Sequence, residues 1–296
     1  VNQISPGLKW VSTTEVTNNV YSVCARYKFF RENMVLEQNK CNDGNDNHVI
    51  GGRFNSYLNY GIIRGEQWLC QKGQDNMDPS SYPNGGDHFV KLCPLWQLLL
   101  YYREIIGGDK RDWYGDVAEI VRTTDQTGMT NGQLQLAFMR NTMDVLKVDL
   151  TDFFIKAGML KPIDKELDDY ARGWMTITKE ECDELVNYAA KYPKPETPVL
   201  YYLSANCENA FKNKLSVEGV YNEGIQIRNE WVIVDHDVWK NVTVFETYQG
   251  DELKYACIVG TDYMNLDKTR VYYPEGSTRI EAVSWDGKRT LVYGKK

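Results

Sequence analysis

Three prolines in six residues, Pro193, Pro195 and Pro198, stop any helix from crossing the segment Tyr192–Pro198. Each ring removes a backbone donor and fixes φ near the value of a turn. The chain also changes character there. Before this point apolar residues recur at spacings of three and four; after it short runs of β-branched and aromatic residues alternate with turn signals. The expected organisation is therefore a mostly α-helical part over 1–195, with an irregular excursion at 39–87, and a β part over 198–296.

In the first part, Val16, Val20, Val23, Tyr27 and Phe30 lay one buried stripe along a helix running to about Glu37. The excursion that follows is rich in Gly, Asn, Asp and Ser. Pro94 suits the first turn of a second helix, with Leu95, Leu98, Leu99 and Tyr102 on one face and Gly107-Gly108 at its end. Further helices are expected at Gly115–Thr123, Asn131–Leu146, Thr151–Lys156, Asp164–Arg172 and Lys179–Lys191. The last carries a Thr178-x-x-Glu181 capping box. In the second part, Trp231–Val234, Val242–Tyr248, Leu253–Val259 and Arg279–Trp285 read as strands, and Asp286-Gly287 as a two-residue hairpin turn with positive φ at both positions. Strands at this spacing over about 100 residues suggest a small immunoglobulin-like β-sandwich.

The charge balance narrows the partners. With 34 basic and 41 acidic residues the net charge is −7, and no cluster of Lys and Arg offers the footprint that nucleic acid requires. No apolar run reaches the ~20 residues of a membrane helix. The seven cysteines contain no C-x-x-C pair, which excludes a zinc ribbon or a dense disulfide framework and leaves the redox compartment open. The start at Val1-Asn2-Gln3-Ile4-Ser5 reads as neither a signal peptide nor an initiation site, so a fragment of a longer protein is expected.

Few residues read as chemistry on their own. Ser12-Thr13-Thr14-Glu15 matches a capping box, which would make Glu15 a helix cap. His88 beside Asp87 suits either a polarised histidine or a surface loop, and His236 between Asp235 and Asp237 reads as surface. Trp96, Gln97, Trp113 and Tyr114 could face a substrate cleft or a sugar, or pack in the core. Asp43-Gly44-Asn45-Asp46-Asn47 begins like a calcium loop, but His48 and Phe54 stand where its glycine and glutamate belong. Asn241-Val242-Thr243 matches a glycosylation sequon.

The stretch Val1–Asn19, with Thr14-Glu15-Val16-Thr17-Asn18-Asn19, resembles the segment just downstream of the His-Glu-x-x-His motif in the enhancin-like, mucin-targeting zinc metallopeptidases of family M60, a gluzincin family. The resemblance continues through Phe89–Leu98, where Pro94-Leu95-Trp96-Gln97-Leu98 looks like the family's Pro-x-Trp-Gln-Leu helix. It implies that Glu15 is the third zinc ligand and that Asn19, one turn later, orients a zinc-bound histidine. It also implies a glycoprotein or mucin-type substrate and a secreted, cell-surface or periplasmic location. One departure is decisive: His48, His88 and His236 are the only histidines, and no His-Glu-x-x-His is present. With one ligand of three and no general base, the chain alone is expected to be inactive and to hold no zinc tightly. A missing partner for the Val16–Phe30 helix would leave Val1–Ser12 displaced, or that face free for self-association. The competing reading is a non-catalytic glycan- or glycoprotein-binding module.

Overall fold

The computed structural model describes residues 6–11, 13–14, 16–29, 36, 52–65, 88–169, 171–260 and 267–295. Helix α1 spans Asn19–Phe29 and buries Val20, Val23 and Tyr27, the stripe expected from spacing. Helix α2, Gly52–Tyr57, continues as a π-helical turn over Leu58–Ile63. Helix α3, Cys93–Leu99, has Pro94 in its first turn and continues as a π-helical turn to Ile106, where Gly107 at φ 65° ends it. Then come α4 (Trp113–Thr123), α5 (Asn131–Leu146) and α6 (Thr151–Lys156). A hairpin of β1 (Ile163–Asp169) and β2 (Ala171–Ile177) precedes α7 (Lys179–Ala189), and α8 (Glu208–Lys212) follows the prolines. The remaining strands are β3 (Ile225–Arg228), β4 (Trp231–Asp235), β5 (Val244–Gln249), β6 (Glu252–Ile258), β7 (Lys268–Tyr272), β8 (Arg279–Val283) and β9 (Arg289–Gly294).

Both α5 and α7 begin with complete capping boxes. Thr130 accepts from the Gln133 amide while the Gln133 side chain accepts from the Thr130 amide, and Thr178 and Glu181 do the same. Each box satisfies two donors that a helix start leaves open, so both helices begin where their sequence says.

Three expectations are corrected. The segment Asp164–Arg172 is no helix but most of the β1–β2 hairpin, with Ile163 facing Ile177 and Leu167 facing Gly173. A spacing of four between Ile163 and Leu167 fits either period; the alternation of buried Met175 and Ile177 with exposed Trp174 is what marks a strand. The excursion at 39–87 is not wholly irregular, since residues 52–59 are buried helix. The β8–β9 connection runs over 284–288: Gly287 has φ 81°, Asp286 does not share the positive φ, and the Ser284 amide donates to the Lys288 carbonyl at 2.8 Å. Strands β3, β7 and β9 were not legible beforehand.

Beyond the β1–β2 hairpin, strands β3 to β9 form two further antiparallel sheets among the described residues, ordered β3-β4-β7 and β6-β5-β8-β9. Cross-links join them: the Thr247 hydroxyl donates to the Tyr272 carbonyl at 2.8 Å, and the Cys257 thiol to the Arg270 carbonyl at 3.4 Å. One buried apolar core runs through helices and sheets alike. It is a mixed α and β architecture.

Buried polar groups tie the helices to the sheets. On β6, the Asn59 carboxamide accepts from the Ala256 amide at 3.0 Å and donates to its carbonyl at 2.9 Å, while Asn55 accepts from the Ile258 amide at 2.9 Å. Gln97 donates to the carbonyls of Tyr201 (2.6 Å) and Leu203 (3.1 Å). Glu246 on β5, fully buried, accepts from the Tyr202 hydroxyl at 2.7 Å, the Tyr248 hydroxyl at 2.7 Å and both Nε (2.6 Å) and Nη2 (3.0 Å) of Arg289. A buried carboxylate is tolerated only when its oxygens are satisfied in this way.

Candidate functional site

The segment singled out by the sequence, from Pro6 to Asn19, is a seated arm. Leu8, Trp10 and Val11 are buried. Three uncharged side chains hold the arm: Gln126 accepts from the Gly7 amide at 2.8 Å, Asn131 from the Val11 amide at 2.9 Å, and Gln135 from the Trp10 indole at 3.0 Å. The holders are fixed in turn, since the second halves of the two α5 carboxamides donate onward, Asn131 to the Trp174 carbonyl (2.9 Å) and Gln135 to the Met159 carbonyl (2.7 Å). The Trp10 ring packs 5.4 Å from Phe138 of α5. Displacement of the arm is therefore corrected for residues 6–11, which are docked.

Beyond Trp10 the arm winds through successive turns into α1. The Thr13 carbonyl accepts from the amides of Val16 (3.0 Å) and Thr17 (3.1 Å), and the Thr17 hydroxyl donates back to the Leu8 carbonyl at 2.5 Å. Thr13, Val16 and Thr17 are buried. Ser12 and Glu15 lie outside the described residues, as does the capping box they would form. Asn19 opens α1 half-buried, its amide on the Val16 carbonyl at 3.0 Å. The inward stripe of α1 is covered. Tyr21 and Phe29, eight residues apart, are instead 56% and 70% exposed.

The other candidates are dispersed. Trp96, Gln97, Trp113 and Tyr114 are all buried, so they face the core rather than a cleft. Trp96 packs on Tyr27 at 5.2 Å, and Tyr114 on Phe138 at 6.5 Å. His88 begins the 3₁₀ turn His88–Leu92 with its side chain outside the described residues, and His48 lies outside them entirely. His236 is not a surface group: half-buried, it meets the Thr269 hydroxyl at 2.7 Å. Burial lowers its pKa against the pull of Asp267, Asp235 and Asp237. No three His, Cys, Asp or Glu side chains converge on a metal-sized site among the described residues. Around the arm they offer the neutral oxygens of Thr13, Thr14, Thr17 and Asn19. Such a set does not by itself fit zinc, which takes His, Cys and carboxylate ligands, and no zinc-dependent step is assigned to it.

Sequence reasoning missed the carboxamides. Gln126, Asn131 and Gln135 sit in no motif; the one legible signal was Asn131 and Gln135 at i, i+4, a polar pair on a helix whose other residues bury an apolar face.

Residues 1–158 match the family model for peptidase M60, enhancin and enhancin-like, more than half of the chain. The chain belongs to peptidase family M60. None of the curated proteins matches it. Among solved structures, this M60 chain is similar to a metallopeptidase in complex with Tn antigen at 19% identity and a TM-score of 0.60, with 97% of this chain and 51% of that one covered. It is also similar to a metallopeptidase from Bacteroides thetaiotaomicron at 20% identity and 0.60, covering 97% and 46%. The M60 catalytic domain of Clostridium perfringens ZmpC, in complex with the sialyl T antigen, aligns at 14% identity and 0.50, covering 97% and 47%. At these identities the likeness is one of fold. The chain spans about half the length of the structures it matches.

Proposed function

We propose that this chain is the part of an enhancin-like zinc metallopeptidase that follows the zinc-binding helix, and that the whole enzyme cleaves glycoprotein or mucin-type substrates as a secreted, cell-surface or periplasmic protein. Glu15 is its third zinc ligand, and Asn19 accepts a hydrogen bond from a ligand imidazole. The two histidines and the general-base glutamate come from a His-Glu-x-x-His motif that these 296 residues do not contain, so the chain by itself does not hydrolyse peptides. The C-terminal strands, over 198–296, make an immunoglobulin-like module beside the catalytic part.

The observation that carries this reading is the seated arm. Buried residues flank Glu15 on both sides, Thr13 before it and Val16 and Thr17 after it, and the chain is fastened by three carboxamides before it and by the Thr17 hydroxyl on the Leu8 carbonyl after it, which is what holding a metal ligand in place requires. Neighbours solved with Tn antigen and sialyl T antigen support a glycosylated substrate. The glycan-binding alternative loses its aromatic candidates, because Trp96, Trp113 and Tyr114 are buried.

The test compares this chain with a longer protein carrying the motif. Zinc titration should show weak binding to the chain, unchanged by Glu15→Gln. The longer protein should hold one zinc and release fragments from a mucin, and Glu15→Gln should abolish both. A tight zinc site in the chain alone, or full activity in the longer Glu15→Gln variant, would overturn the assignment.

A further inference from the structure

His236 sits in the turn that leaves β4, half-buried beside β7. Its backbone amide donates to the Asp267 carbonyl at 3.0 Å, which fixes the turn against the start of β7. Its ring reaches the hydroxyl of Thr269 on β7, with 2.7 Å between Nε2 and Oγ1. The same oxygen accepts from the amide of Gly260, just beyond the end of β6, at 2.9 Å. One fully buried hydroxyl therefore joins the two sheets, since β4 and β7 belong to one and β6 to the other.

The hydrogen count decides which way the ring contact runs. A threonine hydroxyl has one proton to give and two lone pairs to receive with. Gly260 occupies one lone pair. A proton on Nε2 would occupy the other, and the hydroxyl proton would be left in the interior with no acceptor among the described residues. A buried donor without a partner forfeits its hydration and gains nothing in return. With Nε2 bare, the hydroxyl donates to it and all three groups are satisfied, which puts the ring proton of neutral His236 on Nδ1.

We propose that His236, Thr269 and Gly260 form a proton-operated latch between the two sheets, closed by the neutral Nδ1–H form of His236 and opened when Nε2 takes up a proton. Protonation turns an acceptor into a donor: the ring and the Gly260 amide then both direct protons at Oγ1, and the hydroxyl proton loses its acceptor. Carboxylates stand ready for the displaced ring. Asp235 and Asp237 flank it on its own turn, Asp237 exposed, and Asp267 stands at the start of β7. Lys268, 3.8 Å from Asp235, offsets part of that charge, and from β6 the latch receives only the uncharged Gly260 amide. Burial outweighs the pull of Asp267, Asp235 and Asp237 and holds His236 below the ordinary histidine value of about 6.5. The latch therefore stays closed at neutral pH and opens as the pH falls through that lower value. The links from Thr247 to Tyr272 and from Cys257 to Arg270 donate from a hydroxyl and a thiol that keep their protons in acid, so opening is confined to this end of the sheets. The latch lies beyond residues 1–158 and needs no zinc.

Ring-nitrogen NMR on the full chain reads the latch directly, with His236→Gln identifying which resonances belong to this histidine. In mildly alkaline solution Nε2 should show the shift of a bare nitrogen and Nδ1 that of a protonated one. On acidification the ring should titrate with a midpoint below about 6.5, and the Gly260 amide resonance should move with the same midpoint. Thr269→Val removes the connecting oxygen, so the Gly260 resonance should stop following the ring; Thr269→Ser keeps the hydroxyl and should restore the response. A neutral ring protonated on Nε2, or a wild-type Gly260 amide indifferent to the titration, would overturn the proposal whether or not the variants fold. So would a Gly260 response that persists in Thr269→Val, which would trace it to the field of the imidazolium and not to the hydroxyl.

Discussion

The side chain of Asn59 pairs with both backbone groups of Ala256, donating to its carbonyl and accepting from its amide, and so stands where a neighbouring strand would stand on β6. Strand β6 is an edge of its sheet, and an open edge is a template for unwanted pairing. Here a buried helix closes it with carboxamides.

Replacing Asn59 by Ala would leave the Ala256 amide and carbonyl buried without partners, at about 1–3 kcal/mol for each lost group. Asn59→Asp should be worse, because a carboxylate would face the carbonyls of Ala256 and Asn55. Chemical denaturation should show a lower midpoint for both variants, in that order. A wild-type midpoint for Asn59→Ala would remove the edge-closing role.

Gly132, in the first turn of α5, lies so close to β2 that a Cβ built on it would come 1.8 Å from the Thr176 carbonyl oxygen. Helix propensity alone would make Gly132→Ala stabilising by about 1 kcal/mol. The clash is with backbone and cannot be relieved by a rotamer, so the substitution should lower the thermal midpoint. A raised midpoint would show that the hairpin can yield.

Asp149 supplies the pH dependence. Burial opposes its ionisation, but hydrogen bonds from the Thr151 hydroxyl and amide and the Lys194 ammonium outweigh burial and hold the carboxyl below the ordinary value. A depressed carboxylate contributes stability that is complete above its unfolded pKa of about 4, and is lost as pH falls through the folded value. Unfolding free energy measured from pH 6 down to pH 2 should fall less steeply in Asp149→Asn than in the wild type. Parallel slopes would assign the acid sensitivity elsewhere.

The outer face of α1 presents Tyr21 and Phe29 to solvent. Covering a large side chain is worth about 1.5–3 kcal/mol, so the chain alone should self-associate weakly through this face. Light scattering over a concentration series should report growing mass, and Phe29→Ser should suppress it. A constant monomeric mass would exclude the contact.

How far the fold could be read in advance follows from how local its determinants are. Thr178 and Glu181 act over one turn, and the start of α7 was legible from them alone. The segment Asp164–Arg172 was expected as a helix because the apolar spacing of four from Ile163 to Leu167 serves both periods, and its strand exists only through pairing with β2. Residues 52–63 looked like loop because Gly, Arg, Asn and Ser dominate their start. Asn55 and Asn59 are polar there because their partner is a strand some 200 residues away, which no local pattern encodes. Of the candidate site, the arm was legible and its fastening was not: Gln126, Asn131 and Gln135 lie more than 100 residues from the groups they hold.

Those three holders are all neutral amides. A clamp of lysines and carboxylates would loosen with salt and with acid, whereas carboxamides neither titrate nor gather counterions. These three bonds should therefore hold across ionic strength and acidity that would weaken a charged clamp, so that acid acts on the fold first through titratable groups such as Asp149 and not through the seating of the arm.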